Sequence, residues 1–331
     1  MTSRETLLLS RSDVSSLLTL ADCIAAVESA FRALGEGRSP SPSILGLRAR
    51  DGGFHIKAAL LPMATSYFAA KVNGNFFRNA QRFGMPNIQG LILLCNAENG
   101  QPLAVMDSIE ITILRTGAAT AIAAKYLARA RSKVATICGC GNQGAIQLRA
   151  LAQVLPLECA FAFDVDGERA ESFARALSGE LRIEVSAVHD LGRALSRSDV
   201  CVTCTPARAP LMPREQIRPG TFVAAVGADS PEKQELDPAL VGTSKLVVDS
   251  LSQCSEIGEL HHALNDGLIR PEQVHAELAE LVAGRKLGRI SEDEITVFDS
   301  TGTALEDAAA AAQVYEKAIL AERGEVFLFS Q

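Results

Sequence analysis

The chain has 331 residues, 47% of them hydrophobic and 21% charged, a globular composition with apolar material for two ordinary cores. Its 32 Lys and Arg stand against 39 Asp and Glu, a net charge of −7 spread along the chain, so there is no basic stripe and neither nucleic acid nor a membrane surface is expected as a partner. No run approaches the ~18 apolar residues of a spanning helix, and the N-terminus lacks a charged flank before an apolar core, which together point to a cytoplasmic protein.

Thr6 to Leu9 reads as a short strand, and after a polar break an amphipathic helix carries Ile24, Val27, Phe31 and Leu34 up to Gly35 and Gly37. From about Ser43 to Met106 come short β runs at 44–47, 54–57, 67–72, 90–95 and 102–106, bounded by Gly, Pro, Asn and Asp. This is a β-rich domain with one covering helix, and an uncovered sheet of that kind predicts a homodimer built through it. An Ala-rich helix is expected over Thr116–Arg129. Beyond it, apolar runs at 134–138, 159–163, 200–203, 222–226 and 246–248 alternate with helical segments, the pattern of a parallel sheet covered on both faces. A last helix, Ala304 to Ala321, is expected to dock on the N-terminal domain.

The fold class is therefore α/β, a Rossmann-type doubly wound parallel sheet domain plus a discontinuous β-rich α+β domain. The expected boundaries are 1–118 with 305–331 for substrate binding and dimerisation, and 119–304 for the dinucleotide. The eight cysteines read as packing residues. Cys201 and Cys204 form a C-x-x-C inside a predicted strand, where residues three apart face opposite ways, and no cluster has the spacing of a metal site.

The strongest motif is Val134-Ala-Thr-Ile-Cys138 followed by Gly139-Cys-Gly141-Asn142-Gln143-Gly144 and a helical run from Ala145. A buried strand, G-x-G-x-x-G and a helix make a pyrophosphate cradle, in which the glycines permit the turn, the close approach and the tight helix packing. Asp164 follows the next strand, where a carboxylate accepts hydrogen bonds from a ribose 2′-hydroxyl and repels a 2′-phosphate, so NAD is expected over NADP. Asp164 is also placed to cap the turn Asp164-Val-Asp-Gly167.

Four ordered blocks carry a resemblance: Lys71-Val-Asn-Gly74, Ile113-Leu-Arg115-Thr116-Gly-Ala-Ala-Thr120, the glycine loop, and Val226-Gly227-Ala-Asp229-Ser-Pro-Glu-Lys-Gln-Glu-Leu236. Together they resemble the ornithine cyclodeaminase/mu-crystallin family, whose members share a fold across several substrates. The resemblance implies that Arg115 lies between the substrate carboxylate and the cofactor, that Lys71 contacts the substrate and shuttles a proton, and that Asp229 takes the proton of the reacting amine. It further implies that Thr116, Thr205, Val226, Gly227 and Ser300 join the glycine loop around the cofactor. Each has a plainer reading as well: a salt-bridged or surface arginine, an edge-strand lysine, a turn-capping aspartate.

Departures bear on the substrate. Where ornithine cyclodeaminases carry an arginine and a glutamate, this chain has Ser43 or Ile44 and His55, and Lys57 is an added cation. Ile56-Lys57-Ala58 with Ala70-Lys71-Val72 resembles the two-lysine arrangement of imino-acid and iminosuccinate reductases, which is compatible with a second anionic group on the substrate. The expected activity is NAD-dependent oxidoreduction at the C–N bond of a small L-α-amino or α-imino acid. An ornithine or lysine cyclodeaminase is the alternative, and a non-catalytic mu-crystallin-like binding protein is the alternative of another class.

Overall fold

The computed structural model describes residues 5–63 and 65–329. The chain divides into two compact units, residues 1–115 with 303–331, and residues 116–302.

The first unit is built on a seven-stranded sheet in the order Glu325–Leu328, Glu5–Leu9, Pro102–Asp107, Ile88–Asn96, Tyr67–Asn75, Gly52–Leu61, Ser43–Ala49. Only the Glu5–Leu9/Pro102–Asp107 pair is parallel. Alternation along Tyr67–Asn75 sends Tyr67, Ala69, Lys71 and Asn73 to the buried face. That face is covered by the helix Ala304–Leu320, which packs against two central strands and against the helix Leu20–Gly35. The run Ala308 to Ala312 is wholly buried and lets the helix approach closely.

The opposite face of the sheet is apolar and exposed. Leu45, Ile56, Val72 and Leu91 stand directly across from one another on four successive strands. Leu45, Val72 and Leu91 are all exposed, as are Leu47, Phe54 and Leu93.

The N-terminal segment differs from the single helix expected. Its polar break is the cap of a short helix, Arg11–Leu17, with Ser10 and Asp13 forming a reciprocal capping box, and Thr19 with Asp22 caps the next helix in the same way. A further short helix, Asn79–Phe83, joins two strands and buries no residue of its own.

The second unit carries an eight-stranded, all-parallel sheet in the order Ala276–Glu277, Lys245–Val248, Thr296–Asp299, Phe222–Ala225, Val200–Thr203, Val134–Cys138, Cys159–Phe163, Glu184–Ala187. The chain runs outward from Val134–Cys138 in one direction, then returns to Val200–Thr203 and proceeds in the other. This reversal is the topological switch point at whose carboxyl edge doubly wound sheets bind ligands. Among the described residues no single helix is long and apolar enough to cross a membrane. All eight cysteines are free.

The helix expected to begin at Thr116 begins at Ile109 and ends at Leu127. The Asp107 carboxylate accepts the Ile109 N–H at 2.9 Å and starts it early. Arg115 therefore lies well inside a helix, not at its entrance.

Candidate active site

The glycine loop sits at the carboxyl edge of the switch point. Gly139 has φ +98°, a left-handed conformation that L side chains resist, and a Cβ there would lie 2.8 Å from the Cys204 carbonyl oxygen. A Cβ on Gly144 would meet the Gly139 carbonyl at 2.0 Å, so this glycine is the one that lets the helix Asn142–Val154 pack onto the loop. Gly141 is the N-cap of that helix, makes no side-chain cap, and has nothing within 4 Å of where a Cβ would stand. Asn142 is exposed beside it. Gln143 holds its Oε1 buried with no hydrogen-bond partner in the protein. An uncapped helix N-terminus, an open approach over Gly141 and an orphaned acceptor are a fit for the pyrophosphate and sugars of a dinucleotide.

Asp164 is fixed at both oxygens. Oδ2 accepts the Cys140 N–H at 2.8 Å and Oδ1 the Asp166 N–H at 3.0 Å, which aims the carboxylate across the loop while each oxygen keeps a further lone pair. Turn capping and ribose recognition are thus compatible in the same residue.

The loops flanking this edge are held by an acid with no role assigned from sequence. Glu235 is buried, and its carboxylate accepts the Thr205 N–H at 2.6 Å, the Thr205 hydroxyl at 2.7 Å and the Gly227 N–H at 2.8 Å. Burial raises its pKa, against the opposing pull of these bonds. Glu259 in turn accepts the N–H groups of Glu235 and Leu236. Ser300 is set in a similar manner: its N–H donates to the Ala225 carbonyl at 2.9 Å and its hydroxyl reaches Asp249 at 3.4 Å. Val226 donates its N–H to Thr203 at 2.8 Å, which brings Thr205, Val226, Gly227 and Ser300 to neighbouring strand ends. Thr116 is buried in the helix Ile109–Leu127. Asp229 lies in the loop after Phe222–Ala225, its side chain 47% exposed and ion-paired with Lys233 at 2.6 Å, so it is open to a ligand and to water.

The first unit holds a separate cluster. Lys57 and Lys71 are directly opposed across antiparallel strands and both face the buried side of the sheet. Lys71 Nζ lies 2.6 Å from Asp307 Oδ2 and donates to the Thr112 hydroxyl at 3.4 Å. Arg115 donates from Nε to Asp307 at 3.2 Å and from NH1 to Glu306 at 3.0 Å. Burial pulls the Lys71 ammonium down to about 7; Asp307 opposes this, while Arg115 and Lys57 add to it. For Asp307, burial would raise the carboxyl, but Lys71, Arg115 and Lys57 outweigh it and hold the group ionised. Glu306 and Asp307 were not singled out in the sequence; an acidic pair in the first turn of an Ala-rich helix reads there as ordinary capping.

The model of the ornithine cyclodeaminase/mu-crystallin family matches residues 4–322. An archaeal alanine dehydrogenase dimer with bound NAD is 40% identical, with a TM-score of 0.94 over 98% of this chain and 100% of that one. The Δ1-pyrroline-2-carboxylate reductase of Thermococcus litoralis, in complex with NADH and L-proline, is 38% identical with a TM-score of 0.91, covering 97% and 99%. The iminosuccinate reductase of Paracoccus denitrificans, in complex with NAD+, is 32% identical with a TM-score of 0.90, covering 98% and 99%.

Proposed function

The chain belongs to the ornithine cyclodeaminase/mu-crystallin family, and on that premise we propose that it is an NAD-dependent oxidoreductase acting on the C–N bond of a small L-α-amino or α-imino acid. When bound, NAD supplies a hydride acceptor at nicotinamide C4 and NADH the matching donor. The chain's own residues do the rest. The helix terminus at Gly141–Gly144 binds the pyrophosphate, Asp164 takes the ribose hydroxyls, and Thr116, Thr205, Val226, Gly227 and Ser300 hold the nicotinamide half. Arg115, with Lys71 and Lys57, binds the substrate carboxylate. Asp229 accepts a proton from the substrate amine in oxidation and returns it in reduction.

The observation that carries this reading is the cation cluster of Lys57, Lys71 and Arg115, buried beside the carboxylates of Glu306 and Asp307. Burying so many cations is expensive unless an anion is to be received there. The test is a panel of L-amino acids with NAD, and of 2-oxo acids plus amine with NADH, followed at the nicotinamide absorbance. Turnover with stoichiometric NADH supports a dehydrogenase. Ornithine consumption without net NADH supports a cyclodeaminase, and no turnover with any pair leaves only the binding-protein alternative.

The homodimer is the second part of the proposal. The row Leu45, Ile56, Val72 and Leu91 gives the exposed sheet face the contiguous apolar character that folded monomers rarely leave in water. The archaeal relative is a dimer. Sedimentation at micromolar concentration should find a dimer, and Val72→Glu with Leu91→Lys should dissociate it; a monomeric starting protein overturns the assignment.

A further inference from the structure

Asp249 is the first residue beyond the strand Lys245–Val248, at the same carboxyl edge of the second unit's sheet as Ser300, and it is buried. Its carboxylate gathers donors from two sides. Oδ2 accepts the Gly302 N–H at 2.5 Å and the Ser300 hydroxyl at 3.4 Å, while Oδ1 accepts the Thr301 hydroxyl at 3.0 Å and the Cys254 thiol at 3.2 Å. Gln253, on the helix Leu251–Ile257, holds the same segment: its Nε2 donates to the Thr301 hydroxyl and to the Gly302 carbonyl, both at 2.9 Å. A carbonyl can only accept, which fixes the way the Gln253 amide faces. The segment so held contains Gly302 at φ +76°, and its Ser300 N–H is tied to the Ala225 carbonyl at the end of the neighbouring strand.

We propose that Asp249 and Gln253 are positioning residues for the nicotinamide carboxamide: they fix the segment Ser300–Gly302 so that Ser300 meets the ring substituent as a hydrogen-bond acceptor, which selects a substituent carrying an NH2. This deepens the oxidoreductase reading and rests on its placement of Ser300 beside the nicotinamide. Asp249 Oδ2, already the acceptor of the Gly302 N–H, is an acceptor for Ser300 as well, so the hydroxyl turns its hydrogen toward Asp249 and its lone pairs away. A group that approaches from the other side must then donate. Thr301 cannot take this part, because its hydroxyl is spent between Asp249 and Gln253. Without Asp249 the Ser300 hydroxyl can rotate and donate to the carboxamide oxygen instead, and without Gln253 the backbone that carries it loses its second support.

The experiment measures binding and needs no substrate. Three probes are titrated calorimetrically: NADH; its reduced 3-acetylpyridine analogue, in which a methyl group replaces the NH2; and ADP-ribose, which lacks the nicotinamide. The unaltered protein should prefer NADH to the analogue by about tenfold, the scale of one buried hydrogen bond left unmade. Asp249→Asn should bring that preference to about twofold or less while ADP-ribose affinity is kept, and Gln253→Met should do the same where Asp249→Asn does not fold. Ser300→Ala should lose the preference by itself, and adding Asp249→Asn to it should take nothing more away. No preference in the unaltered protein, or variants that keep it, overturns the proposal. An equal loss of ADP-ribose affinity overturns it too, since that marks a role in folding alone. Absence of turnover with every substrate pair, with the NADH preference intact, removes the oxidoreductase reading and leaves the carboxamide assignment standing.

Discussion

Lys71 and Asp307 form a buried ion pair of 2.6 Å between a central sheet strand and the first turn of the C-terminal helix. The pair is the hinge of the cluster's protonation. Burial, with Arg115 and Lys57 behind it, brings the Lys71 ammonium to about 7, and Asp307 keeps it from falling further. A substrate carboxylate binds the protonated form, so KM for a carboxylate substrate should rise as pH increases through about 7 while the affinity for NADH changes little. In Asp307→Asn the upward pull on Lys71 is lost, and the same rise should begin at lower pH. A KM profile flat from pH 6 to pH 9 would contradict this assignment of Lys71.

Arg115→Ala should cost stability as well as substrate binding. It leaves Glu306 and Asp307 with one fewer cation in a buried site, and breaking a buried pair typically costs about 3–5 kcal/mol. Arg115→Lys restores the charge but not the two-armed geometry, and should recover stability more than substrate affinity. Denaturant midpoints beside NADH and substrate titrations separate the two effects; an Arg115→Ala protein as stable as its parent would mean the pairing contributes nothing.

Asp229→Asn should behave differently. Asp229 is half exposed on its loop, so its removal strands no buried charge and folding should be unaffected. Loss of a proton acceptor lowers turnover by roughly 10²–10⁴, with substrate and cofactor binding nearly intact. Near-normal turnover across the pH range would reduce Asp229 to a loop residue.

NADH should bind at least tenfold more tightly than NADPH, since a 2′-phosphate set against the Asp164 carboxylate loses at least ~1.4 kcal/mol. Asp164→Ser should narrow the gap and also loosen the loop, because the Cys140 and Asp166 N–H groups lose their acceptor. Fluorescence titration of both coenzymes decides the matter, and equal affinities in the unaltered protein would remove the role given to Asp164.

What the sequence determined by itself was contiguous. The cofactor loop is legible because strand, glycines and helix follow one another within a dozen residues, and the demands on Gly139 and Gly144 are local torsion and local clearance. The alternation of Tyr67–Asn75 and the uniformly apolar parallel strands are likewise properties of neighbouring residues. Thr296–Asp299 was missed because four residues between a turn and a Ser-Thr-Gly stretch carry too little periodicity, and the helix from Ile109 because its cap, Asp107, ends the preceding strand.

Tertiary structure alone decided who neutralises whom. Lys71 and Arg115 stand out in the sequence as cations in apolar surroundings, yet their counter-charges come from the far end of the chain, on a helix whose first turn looks like ordinary capping. Glu235 is equally opaque: its burial and its hold on Thr205 and Gly227 exist only once the loops at the sheet's carboxyl edge converge. Charge balance in a dry site is a sum over spatial neighbours, and spatial neighbours of this kind leave no periodic trace along the chain.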